Sequence, residues 1–275
     1  METILAPTDF SKASKNAINY AAQLAKINKA GLILLHAYLP PVMVSDVPVM
    51  IPFADEIEKK GLKKLKIMAA NLRAKYGKAL KIEVICKYGS PAPCIMDIAK
   101  EKKCKLIVMG LQGTGFIEER ITGSTTTDLI KKSEVPVLSI GDKIKYKKIK
   151  RIVFATDFLQ LKKAEILNPL KEMAATFKSH IYILHVTPEN LAIPTITEAV
   201  QGIKLDRALE GSDHSFHNCI NNKVSEGINE FVKTFKIDMV VMISRNHSIL
   251  HSIFNKRETK AVAFQSTIPL LTFQE

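Results

Sequence analysis

The chain has 275 residues, and 40 Lys and Arg against 27 Asp and Glu give it a formal net charge of +13. This length allows two compact domains, no apolar run approaches the ~20 residues of a membrane span, and the first residues contain no apolar signal core. The positive charge is spread evenly without interleaved aromatic residues, which favours a solvated surface over sequence-specific nucleic-acid binding. Four scattered cysteines without a Cys-x2-Cys pair indicate reduced thiols, and we expect a cytoplasmic protein.

Strand-like and helix-like patterns alternate through the first half of the chain. Short apolar runs predict strands at 3–6, 32–37, 81–86, 106–109 and 135–140, and amphipathic segments predict helices at 11–28, 55–76, 91–102 and 124–132. This alternation is typical of an α/β fold, a parallel sheet with helices on both faces. Ligands of such sheets bind at the carboxyl ends of the strands, where we therefore expect a functional site.

A glycine motif lies between the fourth predicted strand and the helix that follows it. Gly110, Gly113 and Gly123, followed by Ser124, have the spacing G-x2-G-x9-G-[ST]. Glycine lets a backbone approach a ligand closely, and the N–H groups and dipole of a helix N-terminus favour a phosphate. The motif matches neither the Walker A loop nor the dinucleotide-binding fingerprint. The alternative is that these glycines end a strand and open a helix without any ligand.

The chain contains the same unit twice. Segments 8–10, 34–36, 107–109 and 135–138 recur in the same order at 156–158, 183–185, 240–242 and 268–271. The offset falls from 149 to 133 residues, so the second copy has lost about 16 residues between its second and fourth strands. We predict a first domain at 1–142, an exposed basic linker at 143–149 and a second domain at 150–275.

These segments together resemble the universal stress protein family. The likeness rests on Ala6-Pro7-Thr8-Asp9-Phe10-Ser11, Leu34-Leu35-His36-Ala37, the glycine motif and Val135-Pro136-Val137, and the glycines match the ATP-binding subset of that family. The resemblance implies two tandem open, doubly wound parallel five-stranded sheets of the adenine nucleotide alpha-hydrolase-like type. It also implies that the domains form a pseudo-twofold pair through their last strands, 135–140 and 267–273.

The resemblance further implies roles for individual residues, with ATP (or AMP or ADP) as the ligand and Mg²⁺ on its phosphates. Asp9 and Ala37 would border the adenine, and Pro7 would set the turn leading to Thr8 and Asp9. The remaining implied residues are Met109, Gly110 and Gly113 for the ribose and first phosphate, and Gly123, Ser124, Thr125 and Thr126 for the phosphates. An alternative role for Asp9 is a helix N-cap, which is compatible with the first.

The second copy departs from this pattern. At the offset of 133, the three glycines and Ser124 correspond to Ile243, Asn246, Lys256 and Arg257. We therefore predict that the second domain does not bind ATP in the family's way, although Lys256 and Arg257 leave binding of another anion open.

Other residues carry weaker signals. His214, His217 and Cys219 have metal-ligand spacing but lack an evident fourth ligand, and His36 and His185 are expected to be packed and hydrogen-bonded. The Pro-bearing segment 40–52 is either a lid or a partner contact.

The resulting hypothesis is a nucleotide-responsive stress or signalling module that acts on an unknown client protein. No catalytic or metal-ligating residue is assigned. The alternatives are a nucleotide-independent interaction scaffold and a slow ATPase, and association of two chains into a homodimer stays open.

Overall fold

The computed structural model describes residues 2–39, 54–111, 124–158, 163–188, 196–244 and 268–275. The first domain contains β1 (Thr3–Pro7), α1 (Lys12–Asn28), β2 (Gly31–Tyr38), α2 (Ala54–Tyr76), β3 (Ile82–Tyr88), α3 (Pro91–Glu101), β4 (Leu106–Leu111), α4 (Ser124–Lys132) and β5 (Val137–Gly141). The second contains β6 (Arg151–Ala155), a 3-10 helix (Ala164–Leu167), α5 (Asn168–Phe177), β7 (His180–Thr187), α6 (Ile196–Ala208), β8 (His214–Ile220), α7 (Val224–Thr234), β9 (Met239–Ser244) and β10 (Leu270–Gln274).

The strands form one continuous sheet in the order β3-β2-β1-β4-β5-β10-β9-β6-β7-β8. Within each domain the strands pair in parallel, as the alternation of strands and helices predicts. The two five-stranded sheets join edge to edge where β5 and β10 pair antiparallel, with Leu138 opposite Leu271. The predicted pairing of the last strands is therefore present, and it merges the two sheets into a single ten-stranded sheet.

Apolar side chains cover both faces of this sheet. One face carries α1, α2 and α5, whose side chains pack with Ile4, Leu34 and Ile183 in one core. The other face carries α3, α4 and α7 and forms a second core around Leu5, Leu35 and other strand residues. Strands buried on both faces are nearly continuous apolar runs, because successive side chains enter opposite cores.

The two copies differ most between their second and third strands. Leu34 pairs with Val84 in the first domain, and Ile183 pairs with Phe216 in the second. The offset between copies is therefore 149 residues at β2 and β7 but 132 at β3 and β8. The shortening predicted from the repeat thus lies before β8, and α6 has 13 residues where α2 has 23.

The segment between the domains is only partly exposed, so the prediction of an exposed linker at 143–149 is wrong for its apolar residues. Ile144 and Ile149 are buried, and the Tyr146 ring packs edge-on against Tyr20 at 5.1 Å. Asn16 donates from Nδ2 to the backbone carbonyls of Gly141 and Ile144, each at 2.8 Å. The lysines of this segment are exposed, with Lys147 Nζ 2.7 Å from Asp238 Oδ1, while the apolar side chains between them extend the core.

Within the described residues, no helix is both long and apolar enough to cross a membrane.

Candidate functional site

A cavity of about 200 Å³ lies at the carboxyl ends of β1, β2 and β4, beside the first turn of α4. It is lined by eight of the predicted site residues: Pro7, Thr8, Asp9, Ala37, Met109, Gly110, Thr125 and Thr126. Gly113 and Gly123 lie outside the described residues, and Ser124 begins α4 with its side chain also outside them. The parallel strands bring together residues that are more than a hundred positions apart in the chain, as expected for this edge of an α/β sheet.

Hydrogen bonds fix the turn between β1 and α1. Thr8 is buried, its N–H donates to Leu35 O at 2.8 Å, and its Oγ1 lies 2.9 Å from Ser14 Oγ. The same Oγ1 accepts the N–H of Phe10 at 2.9 Å. Phe10 has a positive φ of 65°, an uncommon conformation for a bulky residue, which this hydroxyl helps to hold.

Asp9 does not cap α1, so the N-cap alternative for this residue is wrong. Its Oδ1 accepts the N–H of Ser11 at 2.9 Å in a local turn, and Ser11 is the N-cap, accepting the N–H of Ser14 at 3.2 Å. Desolvation raises the pKa of Asp9, but hydrogen bonds from the side chain and backbone of Ser11 outweigh it and hold the pKa below its ordinary value. The carboxylate is therefore ionised at neutral pH and offers an acceptor at the cavity.

Gly110 permits a close contact between β4 and α1. A Cβ at this position would lie 2.5 Å from the carbonyl carbon of Ala13 and 2.7 Å from both Ala13 O and Ser14 N. No side chain fits there without moving the first turn of α1. Gly110 is thus required by packing within the protein, in addition to the ligand approach that the glycine motif predicts.

The N-terminus of α4 forms the polar end of the cavity. Thr125 and Thr126 line it, the first turn of α4 contains no acidic residue, and Lys131 and Lys132 occupy the last turn. The first N–H groups of a helix lack partners within the helix, and the dipole is positive at this end. This end of the cavity therefore favours an anion.

Six further residues line the cavity and were not predicted from the sequence: Ser11, Ala13, Ser14, Leu35, Pro91 and Ile95. Leu35 lies two residues before Ala37 on β2, so both side chains are on the face of the sheet that bears the site. Pro91 and Ile95 begin α3, and only the fold brings that helix to the cavity. Leu35, Pro91, Ile95 and Met109 contribute apolar surface to the lining of the cavity.

A family model of the universal stress proteins matches residues 1–140 and again residues 148–274. The chain belongs to the universal stress protein family. Universal stress protein YxiE of Bacillus subtilis is 33% identical over 143 residues, which are 50% of this chain and 97% of YxiE.

Two solved structures resemble this universal stress protein, the first over both domains and the second over half of the chain. One from Archaeoglobus fulgidus is 18% identical, covers 99% of this chain and 98% of its own, and has a TM-score of 0.74, a likeness of fold. Another universal stress protein, solved in complex with cAMP, is 26% identical over 50% of this chain and 96% of its own, with a TM-score of 0.38.

Larger side chains stand at two positions of the second universal stress protein domain that correspond to cavity residues of the first. The strand register places Val186 at the position of Ala37 and Ile243 at that of Gly110, and both side chains are buried. Val186 packs against Gly227 of α7, where an added Cβ would lie 2.8 Å from Val186 Cγ1. The start of α1 corresponds to position 160, whereas the described part of the second domain has a 3-10 helix at Ala164–Leu167 followed by α5 from Asn168.

The histidines at the strand ends are packed and hydrogen-bonded, as predicted. His36 Nδ1 lies 2.7 Å from Thr8 O, and His185 Nδ1 lies 3.0 Å from Thr156 O. Phe10 packs on the His36 ring at 4.5 Å between centroids.

The residues of β8 that have metal-ligand spacing in the sequence do not come together in the structure. His214 and His217 lie on opposite faces of the strand, with His214 Nε2 3.0 Å from Asp206 and His217 Nε2 2.8 Å from Ser215 Oγ. Across the part of the chain that the structure describes, no three His, Cys, Asp or Glu side chains converge on one point. The predicted lid or partner contact at 40–52 lies outside the described residues.

Proposed function

We propose that the first domain binds an adenine nucleotide, ATP in the first instance, and that the protein acts as a nucleotide-responsive stress or signalling module. The observation that carries this proposal is a cavity whose lining combines buried apolar side chains with the N-terminus of a helix. A nucleotide has the same division, with a planar base at one end and phosphates at the other. The cavity lies at the strand ends where such sheets bind ligands.

The base would occupy the apolar part of the cavity. Leu35, Ile95 and Met109 supply buried apolar surface, and the small side chain of Ala37 leaves room beside them. Asp9, ionised at neutral pH, would accept hydrogen bonds from the amino group of adenine or from ribose hydroxyls.

The phosphates would lie at the first turn of α4. Backbone N–H groups there, with the hydroxyls of Thr125 and Thr126, would act as donors, and no carboxylate in that turn opposes an anion. Gly113, Gly123 and Ser124 of the glycine motif belong to the same proposal. Mg²⁺ would be held by the phosphates of ATP themselves, since Asp9, the one carboxylate among the described residues that line the cavity, is assigned to the base or ribose.

The second domain would support the first without binding ATP. Val186 takes up space that Ala37 leaves open in the first domain, and Ile243 stands at the position of Gly110 in the glycine motif. We therefore expect one nucleotide site per chain.

Isothermal titration calorimetry of nucleotide-free protein with ATP, with and without Mg²⁺, tests the proposal. We expect one site per chain in the wild type. Ala37→Val introduces the residue that the fold accepts at the equivalent position of the second domain, and we expect it to weaken binding at least tenfold. Thr126→Val removes a buried hydroxyl at nearly constant volume. A hydrogen bond to a charged group contributes about 1.5–3 kcal/mol, so this variant should also lose about tenfold or more.

Thr127→Val is the matched control on the same helix. Thr127 Oγ1 is buried without a hydrogen-bond partner among the described residues, and it does not line the cavity. This variant should bind ATP like the wild type. If the wild type binds no adenine nucleotide, including AMP, ADP and cAMP, the nucleotide proposal fails and the interaction scaffold becomes the better hypothesis. Two sites per chain would contradict the assignment of the second domain.

A further inference from the structure

The shortened α6 leaves a second cavity in the second domain. It measures about 370 Å³ and lies between α6 and the face of β7 and β8. Its lining includes Phe158, His185, Phe216, Asn218, Ala199 and Gly202. His185 belongs to the face that carries α5, whereas Val186, at the position of Ala37, belongs to the opposite face. This cavity is therefore distinct from the position equivalent to the nucleotide site.

The first domain has no comparable space at this position among its described residues, because α2 packs directly on the sheet. A Cβ added to Gly61 of α2 would lie 2.7 Å from Cys86 Sγ and 3.3 Å from His36 Cδ2. Lys64 of the same helix covers the Phe10 ring, with its Nζ 5.1 Å from the ring centroid.

In the second domain the same kind of packing is absent around Gly202. The nearest atom to a Cβ added at Gly202 is Phe158 Cε1 at 4.0 Å, an ordinary contact distance. Phe158 is the counterpart of Phe10 in the repeat. The ring of Phe158 borders the cavity, whereas the ring of Phe10 in the first domain is covered by the side chain of Lys64.

Aromatic rings form one wall of the cavity. Phe158 and Phe216 are nearly parallel, at 21° and 6.4 Å between centroids, and Phe158 packs on His185 at 4.9 Å. Phe158 is held at a positive φ of 50°, with its N–H donating to Thr156 Oγ1 at 3.2 Å. Phe216, on β8, lines this cavity, and 42% of the residue is exposed. Aromatic rings that border a cavity favour a planar aromatic partner that packs against them.

A polar pair stands at the edge of the aromatic wall. The buried Thr187 donates from Oγ1 to Asn218 Oδ1 at 2.7 Å. This bond engages the amide oxygen of Asn218 and directs its NH₂ group away from Thr187. The amide group can therefore donate to an acceptor on a ligand in the cavity.

We propose that the second domain binds a small planar aromatic molecule carrying a hydrogen-bond acceptor, between α6 and the Phe158–Phe216 wall. The cavity volume is in the range of small-molecule sites, and it suits one or two fused rings. Ala199 and Gly202, whose side chains are small, border the cavity on the α6 side, and because a Cβ at Gly202 would lie 4.0 Å from Phe158 Cε1, the space for a ring lies beside that contact. The proposal stands independently of nucleotide binding in the first domain.

Calorimetric titration of the full chain with quinoline, a bicyclic ring with one acceptor nitrogen, tests this assignment. For a ligand of this size we expect saturable binding with a Kd of about 0.1–1 mM. Gly202→Leu fills the cavity and should weaken that binding at least tenfold. Gly202→Ala is the matched control, because its Cβ meets nothing closer than 4.0 Å, and it should bind within about threefold of the wild type.

Three further variants separate the possible outcomes. Asn218→Leu should weaken binding by about threefold to tenfold, the effect of one neutral hydrogen bond. Ala199→Phe fills the cavity from an exposed helix position and replaces Gly202→Leu if that variant does not fold. Ala37→Val, in the first domain, should leave quinoline binding unchanged. The proposal is overturned if the wild type shows no saturable binding below about 5 mM, or if filling the cavity leaves binding unchanged.

Discussion

Gly110→Ala should destabilise the first domain, because the added methyl group collides with the backbone of α1. The new Cβ would lie 2.5 Å from the carbonyl carbon of Ala13, about 1 Å inside the usual carbon–carbon contact of about 3.5 Å. The atoms it meets belong to the first turn of a helix, so they cannot rotate away as a side chain would. Overpacking of this kind costs about 1–3 kcal/mol, while replacing glycine reduces the entropy of the unfolded chain and returns about 0.4–1 kcal/mol.

We therefore expect a net loss of about 1–2 kcal/mol in the free energy of unfolding. Because the chain contains no Trp, urea unfolding followed by far-ultraviolet circular dichroism is the suitable assay. Gly31→Ala is the matched control, since a Cβ on that strand glycine would lie 3.7 Å from its nearest neighbour. It should be as stable as the wild type or slightly more stable. If both variants unfold at the wild-type urea midpoint, the close contact between β4 and α1 does not constrain Gly110.

Three other substitutions test separate contacts by the same unfolding assay. Ser11→Ala removes the N-cap of α1 and should cost about 0.5–2 kcal/mol, and an unchanged midpoint would contradict the cap. Burial raises the pKa of Asp238, but hydrogen bonds from Lys147 and from two backbone N–H groups lower it further, so the pKa lies below the ordinary 3.8. Asp238→Asn should therefore cost about 1–3 kcal/mol near neutral pH, and the difference from wild type should shrink as pH falls below about 4. An equal difference at pH 3 and pH 7 would rule out this linkage. Gly61→Ala should destabilise the protein, and by less in a Cys86→Ala background, because the contact with Cys86 Sγ at 2.7 Å is removed while the one with His36 Cδ2 at 3.3 Å remains; an equal loss in both backgrounds would refute the contact with Cys86.

The regular elements of the first domain follow from patterns that are local in the chain. The run Leu106–Leu111 is apolar on both faces because helices cover both sides of the sheet, and the helix after the glycine motif begins at Ser124 as expected. The strand itself continues through Gly110, which pairs with Ile140. Gly110 therefore does not end the strand. A side chain is excluded at this position because α1 packs against it, and a contact between distant segments cannot be read from a local sequence pattern.

Features that depend on contacts between distant segments were predicted less well. Asp9 and Ser11 are both good capping residues, and only the geometry of the turn decides that Ser11 caps α1. The lysines around Tyr146 indicated an exposed linker, whereas the alternating apolar residues pack against the first domain. The cavity under α6 could not be predicted, because the repeat shows that residues are lost but not which surface they leave uncovered.

The antiparallel junction between β5 and β10 has a consequence for how this protein can change. Two separate chains joined through such an edge would form a symmetric dimer, in which every substitution appears in both subunits. Here one peptide chain connects the two halves, so their association is intramolecular and does not weaken on dilution. Ile243 can therefore replace a glycine on one side of the junction while Gly110 is retained on the other. Covalent linkage gives the assembly the architecture of a dimer with two sites that are free to differ.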